Sequence, residues 1–95
     1  MIVVWSPEAI DDLSALRAFI GKDAPAAARR AVLGILTHVH EVLQRNPEVG
    51  RAGRIPGTRE LVIARMPFIV PYRIKADTLQ VLRVYHGRRR WPESL

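Results

Sequence analysis

The spacing of apolar residues changes character along the chain, and each change marks an element boundary. The opening run "IVVW", Ile2 to Trp5, is short and β-branched, as expected of a strand. It stops at Ser6 and Pro7, where the serine can cap a helix whose first position is proline. Glu8, Asp11 and Asp12 follow, favourably placed against the positive end of the helix dipole. Ala9, Leu13, Leu16 and Ile20 recur at i, i+4, i+7 and i+11, one face of a helix, and Gly21 supplies a stop. The spacing predicts a helix over residues 7–20. Asp23 to Pro25 restarts the pattern, and Ala28, Val32, Ile35, Val39 and Val42 form a longer stripe that ends at Asn46 and Pro47. Only "GKDAP" separates the two helices, so they are expected to fold back as an antiparallel hairpin.

The stretch "NPEVGRAGRIPGT" has three glycines, two prolines and no period, and reads as a surface loop of about a dozen residues, a length often tied to function. After it the period becomes that of strands. "RELVIA", "FIVPYRI" and "LQVLRVY" are separated by "RMP" and "KADT", connections short enough for hairpins, and predict a three-stranded antiparallel meander. The first strand is expected to join this sheet at one edge. The result is a single α+β domain over residues 1–95, in the order β-α-α-β-β-β, with the helices packed on one face of the sheet. Pro71 sits badly in a central strand and calls for a bulge or a stretch whose N–H side is free.

Composition narrows the context. Ninety-five residues, 48% of them hydrophobic and 25% charged, suit one small core. There is no cysteine, so disulfides, thiolate metal sites and thiol nucleophiles are excluded, and a reducing compartment, the cytoplasm, is expected. No stretch has the length of a membrane span or the layout of a secretory signal. The net charge of +6 is unevenly spread: residues 1–50 hold five Lys/Arg against six Asp/Glu, whereas residues 51–95 hold ten against three. Thirteen of the fifteen cations are arginine, which favours bidentate contact with phosphate or carboxylate. An anionic partner is expected, and RNA, DNA and an acidic protein all satisfy that electrostatics.

Candidate chemistry gathers in the second half. His38 and His40, two apart on a helix, point to nearly opposite sides and cannot share a metal; no cofactor or metal is called for. His86 ends the last apolar run, in "VYHGRRRWP", beside Tyr85 and just before Arg88, Arg89 and Arg90. These residue types could supply the acid or base and the phosphate clamp of RNA cleavage, with Arg65 and Arg73 as further cations. They equally describe a structural histidine beside a partner-binding patch. Arg59, Arg65, Arg73 and Arg83 are either the polar coat of an uncovered sheet face or a surface for an anion. Trp91 either folds back on the sheet or anchors a partner. A plain nucleic-acid-binding module is disfavoured, because two Trp, two Tyr and two Phe in mostly core-like places leave no stacking platform.

The order of elements, together with "WSPEAIDDL", "NPEVGRAGRIPGTREL", "PYRI" and "LRVYHGRRRWP", resembles the ParE/RelE superfamily of bacterial type II toxins over nearly the whole chain. The resemblance implies a growth-inhibiting toxin, of the kind linked to plasmid maintenance, neutralised in a hetero-oligomer by a cognate antitoxin whose acidic, amphipathic segment wraps it. RelE-like members are ribosome-dependent mRNA endonucleases that use basic residues on the sheet, including an arginine three positions before a strand tyrosine, and an Arg, His or Tyr near the C-terminus. Here Ile69 stands three before Tyr72, and Glu60 and Val62 fill a further basic pair, although His86 and Arg88 match the C-terminal part. "PGTREL" and "HGRRRWP" look more like the ParE branch, which is not enzymatic and whose target is DNA gyrase. The expectation is a ParE-like gyrase inhibitor, with an mRNA endonuclease as the alternative. For the binding role the candidate residues are Arg59, Arg65, Arg73, Arg83, Arg88, Arg89, Arg90 and Trp91.

Overall fold

The computed structural model describes residues 1–63, 65 and 67–87. Strand β1, Ile2–Trp5, leads into helices α1, Pro7–Gly21, and α2, Pro25–Arg45. Five strands follow: β2, Arg51–Ala52; β3, Arg59–Val62; β4, Phe68–Lys75; β5, Thr78–Val81; and β6, Tyr85–His86. The sheet order is β1-β5-β4-β3-β2, with β6 also paired to β4. The expected α+β architecture is present, and β1 takes the edge beside β5 in the one parallel pairing among the described strands.

Local chemistry sets the start of α1. The Ser6 hydroxyl oxygen accepts from the Ala9 N–H at 3.0 Å and donates to the Leu82 carbonyl at 2.7 Å, so one side chain both caps the helix and ties it to the sheet. Such a cap contributes about 1 kcal/mol. The helical stripes then meet the sheet. Ala9 and Leu13 of α1 and Ile35, Val39 and Leu43 of α2 pack with Leu61, Val70, Tyr72, Leu79 and Val81 in one buried cluster. The alternation of Val70, Tyr72 and Ile74 puts these on the helix side of β4, and leaves Ile69, Pro71 and Arg73 on the opposite face. The indole of Trp5 closes one end of the core: its N–H donates to His40 Nε2 at 3.1 Å and the rings stack.

The sheet departs from the simple meander in two places. The loop after α2 contains β2, antiparallel to β3 with Arg51 opposite Glu60. The run expected as one last strand is broken into β5 and β6 by a bulge. Tyr72 pairs with Val81 and Ile69 with Tyr85, so the three residues 82–84 face the two residues 70–71. The cause is Pro71. Its carbonyl accepts from the Leu82 N–H at 2.9 Å, which places its missing N–H on the same side, where an unbroken ladder would need a donor.

Candidate functional site

The arginines named from the sequence divide into separate settings. Arg83 sits in the bulge, and its guanidinium is turned onto α1: Nε and Nη2 donate to the Asp12 carboxylate at 2.8 and 3.0 Å. The same carboxylate accepts the Val84 N–H at 2.9 Å, so Asp12 satisfies a backbone group that the bulge frees. The hydrogen bond and the charge of Asp12 raise the Arg83 pKa above its ordinary value, and Arg83 also lies 4.7 Å over the Tyr85 ring. Arg59 is equally engaged, donating from Nη1 to the carbonyls of Glu48 and Gly50.

Arg73 and Arg65 are exposed. Arg73 stands on the sheet face away from the helices and donates from Nε to Gln80 Oε1 at 2.6 Å. Arg65 occupies the β3–β4 turn with φ of 69°, a left-handed conformation that an arginine adopts at some cost. Arg88, Arg89, Arg90 and Trp91 lie outside the described residues.

His86 belongs to another surface. It pairs with Phe68 across β4 and β6, meets that ring edge to face at 5.9 Å, and is exposed. With Leu16, Phe19, Ile20, Phe68 and Val84 it lines a groove of about 450 Å³ between α1 and the sheet. Phe19, 76% exposed, forms its outer lip. Asp12 reaches one end, already engaged by Arg83 and Val84, so the groove is a largely apolar surface with an imidazole at its rim. His86 and Arg73 are on opposite faces, and the five residue steps from Phe68 to Arg73 span about 17 Å of strand.

Two residues that matched a catalytic pattern only by position are structural. The Tyr72 hydroxyl accepts the Gly50 N–H at 2.9 Å and donates to the Pro47 carbonyl at 2.7 Å. A Cβ at Gly50 would come within 2.6 Å of that oxygen, which explains the glycine. Burial pushes the Tyr72 phenol above the usual tyrosine range, partly offset by the Gly50 bond and by nearby Arg59. Glu60 is the second. It is 2% exposed, accepts Arg51 Nε and Nη2 on one oxygen and the Arg54 N–H at 2.9 Å on the other, and has Arg54 Nε 3.7 Å away. The glycine-rich loop is thus pinned by Tyr72, Arg59 and Glu60 together. His38 and His40 part as expected, His40 toward Trp5 and His38 to the outer surface of α2 beside Arg30 and Glu41.

Sequence reasoning missed Asp12 and Phe19. Asp12 was assigned to the helix dipole, and Phe19 lies off the core stripe of α1. A phenylalanine outside that stripe was the available signal for the groove.

This arrangement of strand, helical hairpin and sheet matches, with a TM-score of 0.83 and 33% identity, a solved chain described as "Chromosomal ParDE TA system from P. aeruginosa", covering 90% of this chain and 95% of that one. Among curated relatives, the protein Y4kP of Sinorhizobium fredii (strain NBRC 101917 / NGR234) is 45% identical over 91 residues, 96% of this chain and 93% of that protein. Toxin RelE2 of Caulobacter vibrioides (strain ATCC 19089 / CIP 103742 / CB 15) is 34% identical over 87 residues, 92% and 96% respectively. The chain is therefore a toxin of the type II toxin-antitoxin class. Residues 3–91 match the family described as ParE toxin of type II toxin-antitoxin system, parDE, and the chain belongs to that family.

Proposed function

We propose that this chain arrests bacterial growth by binding DNA gyrase in the cytoplasm, without catalysis of its own, and that a cognate antitoxin holds it inactive. The observation that carries this reading is the separation of the groups an RNA-cleaving site would gather. His86 and Arg73 are on opposite sheet faces about 17 Å apart along β4. General acid or base catalysis needs its partners within hydrogen-bond reach of the reacting atoms. Tyr72 has both hydrogen-bonding directions of its hydroxyl in use, Ile69 is buried, and the buried Glu60 carboxylate is taken up by Arg51 and the Arg54 N–H. These features support recognition by surface contact. The net charge of +6 and the apolar groove beside α1 support an antitoxin that is acidic and amphipathic. Among the described residues, no helix is long and apolar enough to cross a membrane.

A second reading, ribosome-dependent mRNA cleavage, draws support from the relative named RelE2 and from exposed His86 at the same end of the sheet as Arg65. There His86 and Arg88 would act with Arg65 and Arg73. Expression of the chain and of His86→Gln without antitoxin separates the two. Gyrase binding gives growth arrest in both and intact mRNA by 5′-end mapping. Arrest that vanishes in a folded His86→Gln chain, with cleaved mRNA in the unaltered one, overturns the proposal in favour of the nuclease.

A further inference from the structure

The sheet buries side chains on both faces, although both helices lie on one. Ile69 and Pro71 of β4 point away from the helices, and Tyr85, paired with Ile69, shares that side. Tyr85 is 0% exposed, Ile69 7% and Pro71 below 2%, yet none of the three belongs to the cluster between helices and sheet. Among the described neighbours, Arg83 lies 4.7 Å over the Tyr85 ring at one margin, and Arg54 is held at Glu60, beside Pro71, at the other. The covered strip is narrow. Val62, opposite Ile69 on β3, is 49% exposed, and Arg73, two positions beyond Pro71, is exposed. A packed layer over this face would hide both residues, whereas a single crossing segment leaves them open.

We infer that residues 88–95 turn back over this face as a strap, with the Trp91 indole seated on Ile69, Pro71 and Tyr85. The chain itself buries these three, and beyond the described residues it has only Ala64 and Met66 in the β3–β4 turn and this C-terminal segment. Pro71 is five residue steps from Met66, about 16 Å along the strand and beyond a methionine's reach. The C-terminal segment starts in place, because the Gly87 N–H donates to the Pro67 carbonyl at 2.6 Å. Ile69 is about 7 Å further along β4 from Pro67, and the four steps from Gly87 to Trp91 span up to about 14 Å. Trp91 is the one aromatic residue in "RRRWPESL", and seating its indole takes about 200 Å² out of water. Arg54, at the Glu60 margin, can lay its guanidinium on the same ring. The turn also carries Arg89 and Arg90 to the face that holds Arg73, away from the groove and His86. The strap is the same whichever target the chain binds.

Nuclear Overhauser contacts in the purified full-length chain, with isoleucine methyls and aromatic rings assigned, test this. Contacts from the Trp91 indole to the Ile69 methyls and the Tyr85 ring are expected. Contacts to Phe19 and Phe68 instead would put the indole in the groove and overturn the strap, and so would an indole that contacts neither set. Urea denaturation gives a second readout. Trp91→Ala is expected to raise the unfolding equilibrium constant by roughly thirtyfold or more, and Trp91→Phe by less. Ile69→Ala should then have a smaller effect in the Trp91→Ala background than alone, because the two side chains share one contact. Equal effects of Ile69→Ala in both backgrounds overturn that contact.

Discussion

Asp12→Ala should destabilise the chain by about 3 kcal/mol, and the size follows from what the carboxylate touches. It accepts three donors, two from Arg83 and the Val84 N–H, and the two ionic side chains are 20% and 11% exposed. A fully buried ion pair broken from one side costs roughly 3–5 kcal/mol and an exposed one at most about 1. The partial exposure here places the pair between these limits, at about 2 kcal/mol. Val84 is 6% exposed, so its N–H, stranded in the bulge, adds about 1 kcal/mol or more. For a chain of this length the total corresponds to a fall in Tm of about 12–24 °C. Asp12→Asn keeps one acceptor and the side-chain shape, and should lose about half as much. Urea denaturation followed by circular dichroism, with thermal melts beside it, measures both variants. A loss below about 1 kcal/mol for Asp12→Ala would refute the reasoning, because it would mean that water replaces Asp12 at the bulge without penalty.

Two further perturbations test the pinned loop. Glu60→Gln should cost about 2 kcal/mol, less than a fully buried pair because Arg51 and Arg54 are 53% and 47% exposed and can be rehydrated; faster amide exchange over residues 51–58 would accompany it, and unchanged exchange would contradict the clamp. Because the folded pKa of Tyr72 is raised above its unfolded value, its contribution to stability is present below about pH 10 and is lost as pH rises through the folded value. Melts from pH 8 to 11.5 should therefore show an alkaline decline that Tyr72→Phe removes, at the expense of lower stability at neutral pH; an identical decline in the variant would assign it elsewhere.

Much of this fold was legible because local and global signals agree. Ser6, Pro7 and Gly21 bracket α1, the apolar stripe marks α2, and period-two runs mark the strands. The break between β5 and β6 was half legible. Leu79 and Val81 keep an even spacing that Val84 violates by one, and Pro71 stands opposite, yet neither signal alone names the bulge. The order of the loop after α2 was not legible, because Tyr72, Arg59 and Glu60 reach it from strands at 6 to 25 positions' separation. For the candidate site, sequence identified the basic second half but not its division. Arg83 and Arg59 serve the fold, Arg73 faces one side and His86 the other, and this depends on strand faces and on the bulge.

The most direct measurement is DNA supercoiling by gyrase with ATP and relaxed plasmid, in the presence of the purified chain freed from its antitoxin and checked for native circular dichroism. The account expects loss of supercoiling and accumulation of cleaved DNA, both reversed by the antitoxin. Full supercoiling in the presence of folded chain, at concentrations that arrest growth in cells, would contradict it.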